Sequence, residues 1–436
     1  MRKLWIMLTG LMILAGCTGN PFEPKAPSTP ESEENLSWGV STIESPTMAA
    51  STIESSLDDS GIEPESAPEE APESLRDIMT GAISVWVDGV ELQGIMECDT
   101  TLLNAAELHE LWPWFQGVGG DTSWTFTGSR DKGMAPSSNA APNTNAGTDA
   151  DTQLSSVSSP SLVCRTPETF AGEGGVYFHG VTDEYWIPVR WICDQFNIQL
   201  LWDGDFETVY LRTPLNKDAI PQGQSVPILL YHAVGDDPWG IEGLFVTPAA
   251  LREQLEYLTE NGYDPIFFSD LTHLSDYDKP ILLTFDDGYD DNYSLLFPLL
   301  QEFQAKATIF CISGSMDAPH HMTSAQAKEM SDSGLVDIQS HTANHAELDT
   351  ISREEQEYQM AQSLLDLARI TKKIPYVLAY PGGHRNDDTL DLAPQYFDFA
   401  ADANSKLWTI DRDFYTIDRI YVNRSHSLSD FQALFP

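Results

Sequence analysis

The chain has 436 residues, of which 41% are hydrophobic, and this is enough for two ordinary domains with connecting segments. Its 67 acidic residues outnumber its 23 basic ones, which gives a formal net charge of -44. Because phosphate backbones and anionic lipid surfaces bind basic patches, this charge argues against nucleic acid or bare lipid as a partner.

Residues 1–17 have the organisation of a secretory signal peptide. Arg2 and Lys3 form a positive start, and residues 4–14 form an apolar run too short to span a bilayer. The run leads into the sequence LAGC, which ends at Cys17 and resembles a lipobox. The resemblance implies cleavage before Cys17 and lipidation of its sulfur and new amino terminus; an ordinary signal peptide with a chance cysteine is the alternative. We therefore expect an extracytoplasmic protein that reaches the membrane only through its lipid anchor.

Residues 18–80 are rich in Ser, Pro, Glu and Thr and poor in large apolar residues. Such a segment cannot bury enough apolar surface to offset the entropy lost on ordering. We interpret it as a disordered tether between the anchor and the folded part of the chain.

The next region, 81–213, has strand periodicity at 83–88 and a hairpin dipeptide at Asp88-Gly89. A helix is predicted from the PVR sequence at 188–190, and a second hairpin around Asp203-Gly204. This order resembles the small accessory domain named after the N-terminus of copper amine oxidases. The resemblance implies a small α+β domain, with neither copper nor oxidase chemistry. A spacer and a wall- or glycan-binding module remain open as its role.

Inside this region, residues from about 128 to 162 are rich in Ser, Asn, Ala and Thr, which predicts a disordered insertion. The region also holds Cys98, Cys164 and Cys193. An extracytoplasmic compartment permits disulfides, so we expect one pair among these three, with one cysteine left over. Cys311 lies in an apolar run and is expected to be a small buried hydrophobe.

Residues 224–436 alternate between strand and helix patterns, which predicts a parallel sheet that is either open or closed into a barrel. In such folds the reactive groups collect at the C-terminal ends of the strands. Strands are predicted at 226–231, 265–268, 281–285, 307–312, 336–338 and 376–380. Helices are predicted at about 247–262, 293–303, 324–333 and 352–372.

Two of these strands lead directly into groups that could bind a metal. Asp286 and Asp287 end one strand, and His341 and His345 follow another at a spacing that would place both imidazoles on one side of a helical turn. Asp287 with the two histidines would make a facial set of three ligands, which leaves Asp286 free to act as general base. Each piece alone has an ordinary alternative, a turn or a surface histidine pair.

The sequences TFDDG at 284–288 and HTANH at 341–345 resemble the first two motifs of the NodB-type polysaccharide deacetylases, carbohydrate esterase family four. The resemblance covers about 224–436 and implies a distorted (β/α) barrel. It also implies a divalent metal, zinc in the first place with cobalt or nickel as alternatives. The implied reaction is hydrolysis of N-acetyl groups from an amino-sugar polymer. Carried over by position, Asp286 is the base, and the metal ligands are Asp287, His341 and His345.

The third motif, AYPGG at 379–383, has no arginine before its proline and looks like the YPxG form of poly-N-acetylglucosamine deacetylases. This resemblance implies that a backbone N–H among Tyr380, Pro381 and Gly382 helps to hold the oxyanion. The missing arginine leaves open what orients Asp286. Arg385 is a candidate, with an ordinary surface arginine as the alternative.

The catalytic acid is the remaining role. The sequence YHAV at 231–234 resembles the YHxV of the poly-N-acetylglucosamine branch, in which the acid histidine follows the N-terminal strand. The resemblance implies that His232 protonates the leaving amine; a buried histidine that caps the strand is the alternative. His426 has no apolar strand before it and is interpreted as a loop residue.

The expected activity is metal-dependent hydrolysis of N-acetyl groups from an N-acetylglucosamine-containing polysaccharide at the cell surface, with release of acetate. An O-acetyl esterase acting on a polysaccharide is one alternative. A non-catalytic, glycan-binding surface lipoprotein is the other. The expected partner is an N-acetylated polysaccharide.

Overall fold

A computed structural model describes residues 82–97, 100–112, 116–120, 123–127, 161–165, 176–179 and 184–435. The expected signal peptide with Cys17, the tether and almost all of the expected insertion lie outside the described residues. Within the described residues, no helix combines the length and the apolar composition needed to cross a membrane.

The N-terminal part of the described chain is a mixed sheet with two helices. Its strands pair in the order β4-β5-β6-β7-β8-β3-β2-β1-β10-β9, with β1–β10 and β6–β7 parallel. The elements are β1 (Ala82–Val87), β2 (Val90–Glu97), β3 (Thr100–Asn104), α1 (Ala105–Leu111), β4 (Gln116–Gly120), β5 (Ser123–Thr127), β6 (Ser161–Arg165), β7 (Val176–His179), β8 (Glu184–Pro188), α2 (Val189–Phe196), β9 (Gln199–Asp203) and β10 (Thr208–Arg212).

Both hairpins and the helix expected in this region are present. Asp88 and Gly89 adopt φ values of 48° and 88°, as the tight turn between β1 and β2 requires. Cys193 on α2 is a free thiol buried in the core, and burial raises its pKa to about 12. Of the three cysteines, Cys193 is therefore the one left over. A pair between Cys98 and Cys164 stays a prediction, since Cys98 and the side chain of Cys164 lie outside the described residues.

The C-terminal part alternates strands with helices. A short π-helix at Asn292–Leu296 runs into α4. The elements are β11 (Ser225–Val226), β12 (Ile228–Tyr231), β13 (Ala233–Val234), β14 (Phe245–Val246), α3 (Pro248–Glu260), β15 (Asp264–Pro265), β16 (Pro280–Asp287), α4 (Phe297–Phe303), β17 (Ala307–Cys311), α5 (Ser324–Asp332), β18 (Val336–Ser340), α6 (Arg353–Thr371), β19 (Val377–Ala379), α7 (Asp387–Tyr396), β20 (Phe399–Ala401), β21 (Trp408–Thr409), β22 (Ile420–Tyr421) and α8 (Leu428–Gln432).

The strands form a parallel sheet in the order β20-β19-β18-β17-β16-β12-β22, with β15 beside β16. Its central strands are buried on both faces, as expected of a parallel sheet covered by helices. The chain before β22 bridges back to the far edge of the sheet through Ile417 and Ala401. The expected distorted (β/α) barrel is therefore confirmed.

Two strand predictions need correction. The run expected at 265–268 is a strand only at Asp264–Pro265. The carboxylate of Asp270 accepts a hydrogen bond from the Phe267 N–H at 2.9 Å and starts a 3₁₀ segment there. The strand expected at 226–231 is interrupted at Pro227, which has no N–H to donate to a neighbouring strand.

Candidate active site

The parallel strands place the candidate residues at one edge of the sheet. His232 follows β12, Asp286 and Asp287 end β16, and His341 follows β18. Gly288 is required just after the two aspartates, because it has a φ of 76° and a Cβ there would lie 2.9 Å from the Sγ of Cys311. The strand register therefore brings together side chains that lie more than a hundred residues apart in the sequence.

Asp287, His341 and His345 offer three ligand atoms within 4.8 Å of one another. The Oδ1 of Asp287 lies 3.6 Å from His341 Nε2 and 3.5 Å from His345 Nε2. Ligand atoms about 2.1 Å from a tetrahedral zinc ion would be about 3.4 Å apart, so this spacing fits such an ion. The Nδ1 of His341 lies 2.8 Å from the carbonyl oxygen of Ala379, to which it donates, and this leaves Nε2 free for a metal.

The spacing of the two histidines predicted a helical turn, and this prediction is wrong. The chain after β18 makes a tight turn in which Thr342 and His345 have φ values of 65° and 55°. Helix α6 holds this turn, because Gln359 accepts from the N–H groups of Ala343 and Asn344, through its backbone and its side chain respectively. The imidazoles therefore converge because left-handed residues fold the chain back. Such a conformation persists only where its surroundings hold it.

The base candidate Asp286 is held by an arginine that the sequence did not reveal. Arg419 donates from Nη1 to Oδ1 at 2.6 Å and from Nη2 to Oδ2 at 2.8 Å, and its side chain is fully buried. It also donates to the hydroxyl of Thr284 and to the carbonyl oxygen of Asp402. Burial alone would raise the pKa of Asp286, but Arg419, His341 and His232 outweigh it and hold that pKa well below its usual range. The carboxylate is therefore ionised and fixed in orientation.

Arg385, which the sequence offered as the residue that orients Asp286, does not have this role. Arg385 lies 2.5 Å from Asp402, to which it is ion-paired, and not against Asp286. Arg419 comes just before β22, which pairs with β12 in the sheet. The one signal in the sequence was a charged residue set directly before the apolar run at 420–422, which alone does not assign a partner 133 residues away.

His232 lies within electrostatic reach of Asp286, Asp287 and His341. Desolvation lowers its pKa, and the two carboxylates oppose that shift. Its Nδ1 is buried and has no hydrogen-bond partner among the described residues. A buried imidazole nitrogen with no partner is the kind of atom that a bound substrate or water would satisfy. His426, by contrast, makes its contacts with Asn423.

The third motif was expected to offer one backbone N–H, from among Tyr380, Pro381 and Gly382, to the oxyanion. The N–H of Tyr380 donates to the carbonyl oxygen of Ala401 at 3.0 Å, and its buried hydroxyl donates to Tyr415. Pro381 has no N–H. Tyr380 is therefore wrong as an oxyanion donor, because the sheet already uses its N–H. Of these three residues, only Gly382, with a φ of 58°, keeps an N–H for this role.

Comparison with known proteins identifies several similar proteins. The model of the family described as polysaccharide deacetylase matches residues 274–396. The chain is 31% identical over 214 residues to YxkH of Bacillus subtilis (strain 168), named as a polysaccharide deacetylase, over 48% of this chain and 75% of that protein. It is 33% identical over 134 residues to the poly-beta-1,6-N-acetyl-D-glucosamine N-deacetylase of Escherichia coli K12, but that match covers 26% of this chain and only 20% of the relative.

Among solved structures, the polysaccharide deacetylase BA0330 from Bacillus anthracis is 32% identical, with coverage of 49% of this chain and 69% of that one and a TM-score of 0.47. With the similarity to YxkH, the motifs and the barrel, the chain belongs to the polysaccharide deacetylase family. It is accordingly a hydrolase of the class that acts on amide bonds.

Proposed function

We propose that this protein removes N-acetyl groups from an N-acetylglucosamine polymer and releases acetate. The observation that carries the proposal is the arrangement at the sheet edge. There Asp286, fixed by Arg419, lies beside the candidate metal ligands, which are Asp287 and two histidines. His232 is close enough to interact electrostatically with both carboxylates. The name of the Escherichia coli relative favours a β-1,6-linked polymer among the possible substrates.

Asp287, His341 and His345 would hold the metal, and two imidazoles with one carboxylate suit zinc, with cobalt or nickel as substitutes. A divalent cation bound there would supply a Lewis acid that polarises the acetyl carbonyl and makes a nearby water more acidic. The donor set fits this role because the Nδ1 of His341 is already used by Ala379, which fixes the tautomer.

The protein's own residues would carry the protons. Asp286 accepts a proton from the attacking water, whose oxygen forms the new bond to the acetyl carbon. The Gly382 N–H donates to the carbonyl oxygen as that oxygen gains charge. His232 donates a proton to the amide nitrogen as the C–N bond breaks, which leaves a free amine on the sugar and releases acetate.

The remaining proposals concern where this chemistry takes place. We place the protein at the cell surface, anchored through a lipidated Cys17 and a tether at 18–80, on the strength of the sequence pattern. Residues 81–213 would be the accessory domain and 224–436 the deacetylase domain. A spacer role for the accessory domain is our preferred interpretation.

The test is acetate release by the purified chain without residues 1–17, with zinc or cobalt added. β-1,6-linked N-acetylglucosamine oligomers and peptidoglycan would be offered in parallel. We expect metal-dependent release from one of them, abolished by chelator and by Asp286→Asn. Release from O-acetylated polymers alone would instead indicate an esterase. A protein that binds glycan but releases no acetate from any of these would contradict the proposal.

A further inference from the structure

Trp239 is a large aromatic side chain that stays 45% exposed although three other rings hold it. The ring of His320 stacks on it with centroids 4.2 Å apart and an interplanar angle of 19°. Tyr289 and the buried Phe245 make edge contacts with it at 5.0 and 5.5 Å. An indole that is both exposed and fixed by its neighbours is preorganised to bind, because little side-chain entropy remains to be lost.

The segment that carries Trp239 is anchored at both ends. It spans residues 235–244, between β13 and β14. Near its start, Arg424 donates to the carbonyl oxygens of Gly235 and Asp236 at 2.9 and 2.7 Å. Near its end, the hydroxyl of Tyr421 donates to the carbonyl oxygen of Gly243 at 3.1 Å. The position of Trp239 is therefore set by the barrel.

The ring beneath Trp239 is held in a similar way. His320 has a φ of 64°, and its carbonyl oxygen accepts from the N–H of Asp290 at 3.0 Å. Two residues further on, the N–H of Met322 donates to the carbonyl oxygen of Gly288. The segment that contains His320 is thus hydrogen-bonded to the chain that leaves the aspartates of β16.

Tyr289 connects these rings to the reaction centre. It lies two residues after Asp287 in the chain, and its ring makes the 5.0 Å edge contact with Trp239. Trp239 is therefore in contact with a residue that lies two positions after a candidate metal ligand.

We propose that Trp239 and His320 form a subsite on which a sugar ring of the polymer stacks while its neighbour is deacetylated. The occupant is a hexosamine next to the reacting residue, since Tyr289, which contacts Trp239, follows two residues after the candidate metal ligand Asp287. The C–H face of a pyranose is apolar and matches an indole, as aromatic faces commonly match apolar ligand surfaces. This inference rests on the proposed function, because it assigns a second part of the same substrate.

The test compares Trp239→Ala and Trp239→Phe with a matched control, Ile241→Ala, from the same loop, where Ile241 is 72% exposed. The substrates are N-acetylglucosamine oligomers of increasing length and a small acetyl ester that fills only the reaction centre. We expect Trp239→Ala to raise KM for the longer oligomers roughly tenfold, with kcat and ester turnover little changed. Trp239→Phe should recover most of this loss, and Ile241→Ala should behave like the unmodified protein.

A binding measurement separates this inference from the deacetylation itself. The same oligomers would be titrated by calorimetry into Asp286→Asn, alone and combined with Trp239→Ala. Roughly tenfold weaker binding in the combined variant supports the subsite even if no substrate is ever hydrolysed. Three results would each overturn the subsite. The two variants could bind the oligomers with equal affinity, or neither could bind any oligomer. Alternatively, Trp239→Ala could lose as much turnover on the ester as on the oligomers. If acetate is released with Trp239→Ala unaffected, the proposed function stands without it.

Discussion

Asp286 and Arg419 form a fully buried, bidentate ion pair inside the barrel. Such a pair contributes little net stability, because the cost of removing two charges from water offsets most of their attraction. Its value here is positional: the fork of Arg419 fixes both oxygens of the carboxylate that faces the candidate metal ligands. The backbone of Asp402 and the hydroxyl of Thr284 in turn fix the arginine.

Replacing Arg419 with methionine should therefore affect both stability and turnover. It leaves an uncompensated buried carboxylate, which should cost about 3–5 kcal/mol in a urea unfolding measurement. Turnover should fall by about 100-fold or more, because the base loses its orientation. The double variant Arg419→Met with Asp286→Asn should regain much of the stability while remaining inactive. A single variant as stable as the parent protein would contradict this account.

Asp291 is a second buried carboxylate, and it lies outside the ligand set. It accepts from the Val234 N–H at 3.0 Å and from the side chain of Asn292, which also donates to the carbonyl oxygen of His232. Burial raises its pKa to about 7. The folded state thus binds this proton more tightly than the unfolded state, so stability from this group is fully present below about pH 4 and is lost as the pH rises through about 7.

Asp291→Asn should remove this pH dependence while keeping an oxygen that accepts from Val234. A shift of about 3 pKa units corresponds to about 4 kcal/mol at most. We therefore expect the variant to gain stability relative to the parent protein as the pH rises from about 4 to about 7, measured by urea unfolding with chelator present. Parallel stability profiles for the two proteins across this range would show that folding does not raise the pKa of Asp291.

At the scale of elements, the histidine turn is set by its packing against other parts of the barrel. Its carbonyl groups at Thr342 and Ala343 accept from the N–H groups of Ser313 and Gly314 at 3.1 and 2.8 Å. Helix α6 holds the other side of the turn through Gln359. The close approach at 314 requires glycine, because a Cβ there would lie 2.7 Å from the Ala343 carbonyl oxygen.

Gly314→Ala should consequently weaken metal binding without touching a ligand. The added methyl group has to push the histidine turn away, and we expect zinc affinity to fall about tenfold or more, as measured by calorimetry. Gly243→Ala is a suitable control, since a Cβ there meets nothing closer than the Tyr421 hydroxyl at 3.9 Å. Unchanged affinity in Gly314→Ala would mean that the turn position is not set by this contact.

At the scale of the whole described chain, the N-terminal sheet and the barrel share a core. Leu201 and Tyr210 from the β9–β10 hairpin pack in one cluster with Met360 and Leu364 of α6. Beside it, Arg369 of α6 donates two hydrogen bonds of 2.6 Å to the fully buried carboxylate of Asp203. The hairpin thus covers an apolar face of the helix that holds the histidine turn.

Arg369→Ala should destabilise the protein by about 2–4 kcal/mol, because it leaves the buried Asp203 without its charge partner. Arg353→Ala, near the start of the same helix, removes ion pairs to Asp388 and Asp391 that are exposed, and should cost less than about 1 kcal/mol. Urea unfolding of both variants checks the contrast. Equal losses would indicate that the pair of Arg369 with Asp203 contributes no more to the free energy of unfolding than the exposed pairs of Arg353 do.

The sequence by itself determined the alternation of buried parallel strands with helices, because such strands are continuous apolar runs that local periodicity detects. That pattern left the sheet either open or closed, and the barrel was implied only by the family resemblance. The sequence also singled out Asp286, Asp287, His341 and His345, since reactive residues follow directly on those strands. Only the tertiary structure decided the partner of Asp286, because Arg419 reaches it through the pairing of β12 with β22. The same holds for the conformation of the histidine turn and for the N–H of Tyr380, which depend on packing and hydrogen bonds to distant segments that no local pattern encodes.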